Sequence, residues 1–103
     1  MTNTTVTRKD AQVVVQPPGD VVAATVPELR TALRAAIGDG AVELTIDLSN
    51  AQMIDSTGIG LLISAHNSIR KIGGHLAVVH ASGDILELLR AMRIHQHFGV
   101  SGE

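Results

Sequence analysis

The sequence predicts an α/β fold, a mixed β-sheet with helical cover laid out in the order β-β-α-β-α-β-α. Three observations carry that prediction. Val42, Leu44, Ile46 and Leu48 alternate with Glu43, Thr45 and Asp47, a period of two that marks a strand with one apolar and one more polar face. Segments on either side of it repeat apolar residues at helical spacing. Each of those segments ends in glycine before the chain moves on, and strands joined through helices form parallel pairs by right-handed crossovers.

The elements follow in order. Residues 2–7 are polar and read as a frayed end or a short edge strand containing Val6. Val13-Val14-Val15 is a β-branched run that reads as a buried strand, open to antiparallel pairing with the first. Pro17-Pro18-Gly19-Asp20 stops it. Thr25-Val26-Pro27-Glu28 has the spacing of a capping box, with proline tolerated in the first turn. Leu29, Ala32, Leu33, Ala36 and Ile37 then line one helical face, ended by Gly38 and Gly40. After the alternating strand comes a second helix with Ile59, Leu62, Ile63, His66 and Ile69 on its stripe, widened by Leu61 and Ala65. Gly73-Gly74 ends it, and Leu76-Ala77-Val78-Val79 is another short buried strand. Ser82 is placed to cap a third helix carrying Ile85, Leu88, Leu89 and Met92, followed by a short tail. Leu44, Ile46, Leu62 and Ile63 are expected in the core.

Composition narrows the function. A chain of 103 residues suits one domain, here 1–103 with residues 1–5 and 99–103 as flexible ends. Apolar residues make up 45% of it, against a wholly disordered chain, yet the only aromatic residue is Phe98. Single-strand nucleic-acid binders need aromatic platforms, and a net charge of −2 offers no field for a phosphate backbone. The absence of cysteine removes disulfide and thiolate chemistry. No signal peptide and no run of about 20 apolar residues is found, so a cytoplasmic protein without membrane contact is expected.

The chemistry-bearing segment is Met53-Ile54-Asp55-Ser56-Thr57-Gly58-Ile59-Gly60, where a strand-to-helix connection becomes a helix N-terminus. Free N–H groups and the positive end of the dipole tolerate a phosphate there. Gly58 and Gly60 would leave the helix start uncrowded for an approaching protein. The plainer alternative is that Ser56 or Thr57 is only an N-cap. Enzymatic readings fare worse. Ile54-Asp55-Ser56-Thr57-Gly58 lacks the first glycine of a nucleophile elbow, no histidine is tied to Ser56 by spacing, and no lysine follows for a phosphate-binding loop. His95 and His97 lack a third metal ligand. No catalytic residue, cofactor or metal is assigned.

Asp55-Ser56-Thr57-Gly58, preceded by Asp47-Leu48-Ser49 and followed by Gly60-Leu61-Leu62, resembles the signature of the STAS domain of anti-sigma-factor antagonists. Lys71-Ile72-Gly73-Gly74 before a strand, and Leu86, Leu88, Leu89 and Met92 after it, extend the resemblance over about Val13 to Phe98. It implies a STAS-like sheet and a partner-switching role. The unphosphorylated protein would bind an anti-sigma factor with serine kinase activity and release the sigma factor; phosphorylation of Ser56 (alternatively Thr57) would end binding, and a serine phosphatase would reset it. A monomer when free is implied. Asp20, Val22, Asp55, Ser56, Thr57 and Gly58 form the expected partner-binding set, with Asp20, Thr57 and Gly58 affecting binding more than stability. Val22 stands where the family usually has an acidic residue, with Asp20 the nearest carboxylate. A non-catalytic scaffold in a stress-signalling assembly is the alternative role.

Overall fold

A computed structural model describes residues 4–102; the expectations made for residues 1–3 and Glu103 lie outside the described residues. Two strands open the chain, β1 (Thr5–Lys9) and β2 (Gln12–Gln16), followed by α1 (Val26–Gly38) and β3 (Glu43–Asp47). Then come α2 (Ser56–Lys71), β4 (His75–Ala81) and α3 (Gly83–Ala91). A 3₁₀ turn at Ile94–Gln96 leads into β5 (Gly99–Gly102). The five strands form one sheet in sequence order. β1 is antiparallel to β2, and every later neighbour is parallel, as crossovers through helices require.

The alternation in sequence sets which side of the sheet is dry. Val13 and Val15 stand beside Leu44 and Ile46, which stand beside Leu76 and Val78. All six are buried, whereas Val14 is exposed and Thr45 and Ala77 are half-buried. Helix α1 adds Leu29, Leu33 and Ala36 to the same core, and α2 adds Ile59, Leu62 and Ile69. The predicted mixed sheet and its element order therefore stand, and Leu44, Ile46 and Leu62 lie in the core as expected.

Four details differ. Ile63 is 38% exposed, not core. Leu61 and Ala65 share a crevice with Leu33 and Ile37 of α1, so α2 buries a sheet-facing and an α1-facing stripe, and Ile63 falls outside both. Leu88 and Met92 are likewise exposed, because α3 anchors itself through Ile85 and Leu89. The Thr25 capping box does not form: the Thr25 hydroxyl donates to the Asp20 carbonyl at 2.7 Å and accepts from the Val22 N–H at 3.1 Å. Finally, the segment read as a tail includes β5, with Gly99 beside Ala77 and Val100 beside Val78. Phe98 is the anchor, buried with its ring centroid 5.3 Å from that of His66. Ser82 caps α3 as expected, accepting from the Ile85 N–H at 3.3 Å.

Candidate functional site

Two connections meet at the carboxyl ends of β2 and β3, and their backbones are stitched together. The Val21 N–H donates to the Met53 carbonyl at 3.0 Å, and the Asp55 N–H donates to the Val21 carbonyl at 3.2 Å. Val21 and Ile54 thereby form a parallel bridge outside the main sheet. Two aspartates lock the arrangement from opposite sides. Asp20 Oδ1 accepts from the Gln52 N–H at 2.8 Å and the Met53 N–H at 3.1 Å. Asp55 Oδ1 accepts from the Gly58 N–H at 2.9 Å, while Oδ2 accepts from the Ala23 N–H at 2.9 Å.

Asp55 is thus the N-cap of α2, and Ser56 is the first helical residue. This answers the plainer alternative for the hydroxyls: capping is done by the carboxylate, so neither Ser56 nor Thr57 is needed for it. Both side chains sit exposed on the first turn. The N–H donors hold Asp55 below the ordinary carboxylate range, chiefly that of Gly58 and then that of Ala23, because they stabilise the ionised form. Asp47 serves the neighbouring turn, accepting from both the N–H and the hydroxyl of Ser49.

The predicted partner-binding set divides into two kinds of residue. Ser56 and Thr57 are presented to solvent. Asp20 and Asp55 are latches between loops, and Val22 is half-buried with its N–H held by Thr25. Gly58 is not the open approach its sequence position implied. It is buried, and a Cβ placed on it would collide with the Val21 carbonyl oxygen and come within 2.7 Å of Ile54 Cγ1. Gly60, by contrast, has open space around its Cβ position. Sequence reasoning missed Val21 and Ala23, whose contributions are made by the backbone and so leave no side-chain signature. Met53, 58% exposed in the same connection, is an apolar residue left uncovered at this ledge.

The lowered Asp55 value has a definite sign in stability. The unfolded chain takes up the proton more readily than the folded one, so Asp55 stabilises above the ordinary carboxylate range and this is lost as pH falls through and below that range. Asp55→Asn keeps an acceptor for Gly58 but removes the proton linkage. Its deficit in melting temperature against the parent should be largest near pH 7 and shrink towards about pH 3. Thermal melts across that range check it, and a deficit independent of pH would contradict this account.

The family described as the STAS domain matches residues 3–102. No curated protein sequence matches. Among solved structures, an anti-sigma factor antagonist from Mycobacterium paratuberculosis is 26% identical, with a TM-score of 0.86 over 98% of this chain and 86% of that one. An anti-sigma-factor antagonist (STAS) domain protein from Planctomyces limnophilus is 20% identical, with a TM-score of 0.86 over 99% of this chain and 92% of that one. The Bacillus cell fate determinant SpoIIAA in its phosphorylated form is 17% identical, with a TM-score of 0.74 over 97% of this chain and 92% of that one.

Proposed function

We propose, from the premise that this chain belongs to the STAS domain family, that it is an anti-sigma-factor antagonist switched by phosphorylation of Ser56. Its unphosphorylated form binds an anti-sigma factor that is also a serine kinase, and the sigma factor is released. Transfer of the ATP γ-phosphoryl group to the Ser56 oxygen ends that binding, and a serine phosphatase restores it by hydrolysis. The domain itself is a non-catalytic substrate and binding module. The observation that carries this reading is the position of Ser56: exposed on the first turn of α2, unneeded as a cap, and flanked by a ledge fixed by Asp20 and Asp55. A hydroxyl so placed is accessible to a kinase cleft while the backbone around it stays rigid.

One observation favours the scaffold role instead. Where the family usually offers an acidic loop residue, this chain has Val22, and the Asp20 carboxylate already accepts from two backbone N–H groups. Incubation with candidate serine kinases and ATP separates the two. A stoichiometric gain of one phosphoryl group, mapped to Ser56 and lost in Ser56→Ala, is the expected result. A stable multimer that takes up no phosphate would favour the scaffold. Phosphate mapped to Thr57 and undiminished in Ser56→Ala would overturn the assignment of the acceptor.

A further inference from the structure

At the opposite end of α2 lies a second concave feature that the switch does not use. Helix α2 is sixteen residues long, about 24 Å at the rise of a regular helix. The cleft has a volume of about 440 Å³, within the size range of small-molecule sites. Its walls carry His66, Arg70, His75 and His97, and its apolar part is Leu76 and Phe98. No aspartate or glutamate among the described residues lines it.

His66 is the unusual member. It is 6% exposed, and its Nδ1 is sealed from solvent with no hydrogen-bond partner among the described residues. An unpaired buried polar atom is costly, so its retention asks for a reason. Burial, reinforced by the charges of Arg70 and His97, holds His66 below the usual histidine range and keeps the ring neutral. An enclosed nitrogen without a partner is tolerated better as a bare acceptor than as a donor, which assigns the proton to Nε2. Since the ring borders the cleft, Nε2–H is the donor left to face it.

We propose that this cleft binds a phosphate-bearing small molecule. Arg70 supplies a planar fork of donors suited to phosphate oxygens, and the His66 and His97 rings line the same cleft with their centroids 6.2 Å apart. Phe98 and Leu76 offer a surface for an apolar body attached to the phosphate. A metal ion is the poorer occupant: a guanidinium stands in the wall, and no group of three or more ligating side chains is found among the described residues. The negative pole of α2 is partly masked here, because the Ile69 and Arg70 carbonyls accept from the Gly74 N–H at 2.9 Å and the Gly73 N–H at 3.0 Å.

The test is an amide-shift titration of the whole chain, at constant ionic strength, with inorganic phosphate and separately with phenyl phosphate. Saturating shifts are expected at Arg70, Gly73, Gly74 and Gly99, with phenyl phosphate the tighter ligand. Arg70→Gln and His97→Gln lie at exposed positions and should fold normally, and each should weaken binding by about tenfold, as loss of a charge-assisted hydrogen bond does. Equal binding of the two anions would overturn the role of Phe98 and Leu76. Shifts that never saturate, scatter over the basic surface and persist in Arg70→Gln would overturn the site. None of these outcomes depends on whether Ser56 is a phosphoacceptor.

Discussion

Gly58→Ala should destabilise the protein by about 3 kcal/mol, although alanine is the better helix former. The added methyl has nowhere to go: it meets the Val21 carbonyl, Ile54 Cγ1 at 2.7 Å and Val21 Cγ1 at 2.9 Å. Two of those neighbours are buried side chains and the third is backbone, so none is a flexible tip that swings aside. Overpacking of this kind typically costs about 1–3 kcal/mol, and a rigid carbonyl pushes it to the upper end. Moving that carbonyl also weakens its bond from the Asp55 N–H, worth about 1 kcal/mol, which offsets the similar gain in helix propensity. Gly60→Ala is the matched control two residues away. With open space at its Cβ, it should stabilise by up to about 1 kcal/mol through propensity alone. Denaturant melts of both variants decide the matter: a Gly58→Ala protein as stable as the parent would show that Val21 and α2 are not in close contact.

That contrast explains what was legible in the sequence and what was not. Periodicity reports burial well where one element faces one neighbour, and the period-two run around Leu44 and Ile46 describes β3 closely. It misleads where a helix faces two neighbours, as α2 does, because the apolar stripe becomes too broad to say which edge stays wet; Ile63 is that edge. The pattern Asp55-Ser56-Thr57-Gly58 pointed to the candidate site through its resemblance to a family signature, its residue types alone being equally those of a helix cap. The division of labour inside it depends on which atom reaches which N–H, and that is set by a loop some thirty residues away in sequence, through Ala23 and Val21. Strand β5 escaped notice because Gly99, Ser101 and Gly102 carry little apolar pattern, and its pairing relies on Phe98 and the edge of β4.

A phosphate on Ser56 should weaken binding to the kinase about a hundredfold or more while leaving the fold and its stability nearly unchanged. Ser56 projects from the first turn of α2, where the dipole favours added negative charge by about 0.3–1 kcal/mol. Asp55 opposes that gain. Its ionised carboxylate already occupies the Gly58 N–H and lies next in sequence, so the phosphate, carrying about −1.5 to −2 charges, meets a like charge instead of a vacant nest. The two effects act in opposite directions, and the melting temperature of the modified protein should move by only a few degrees. Across an interface there is no such balance. Desolvation and like-charge penalties in a drier contact reach several kcal/mol, and about 2.7 kcal/mol suffices for the hundredfold loss. Ser56→Ala removes the acceptor but not the cap, so it should fold as the parent does and bind the kinase whether or not ATP is present. Titrating the kinase with the two forms, alongside their melts and amide shifts, distinguishes blocking from refolding. Shift changes spread through β2, β3 and β4, or a collapse of the melting temperature on phosphorylation, would mean that the switch works by changing the fold and not by occupying the contact.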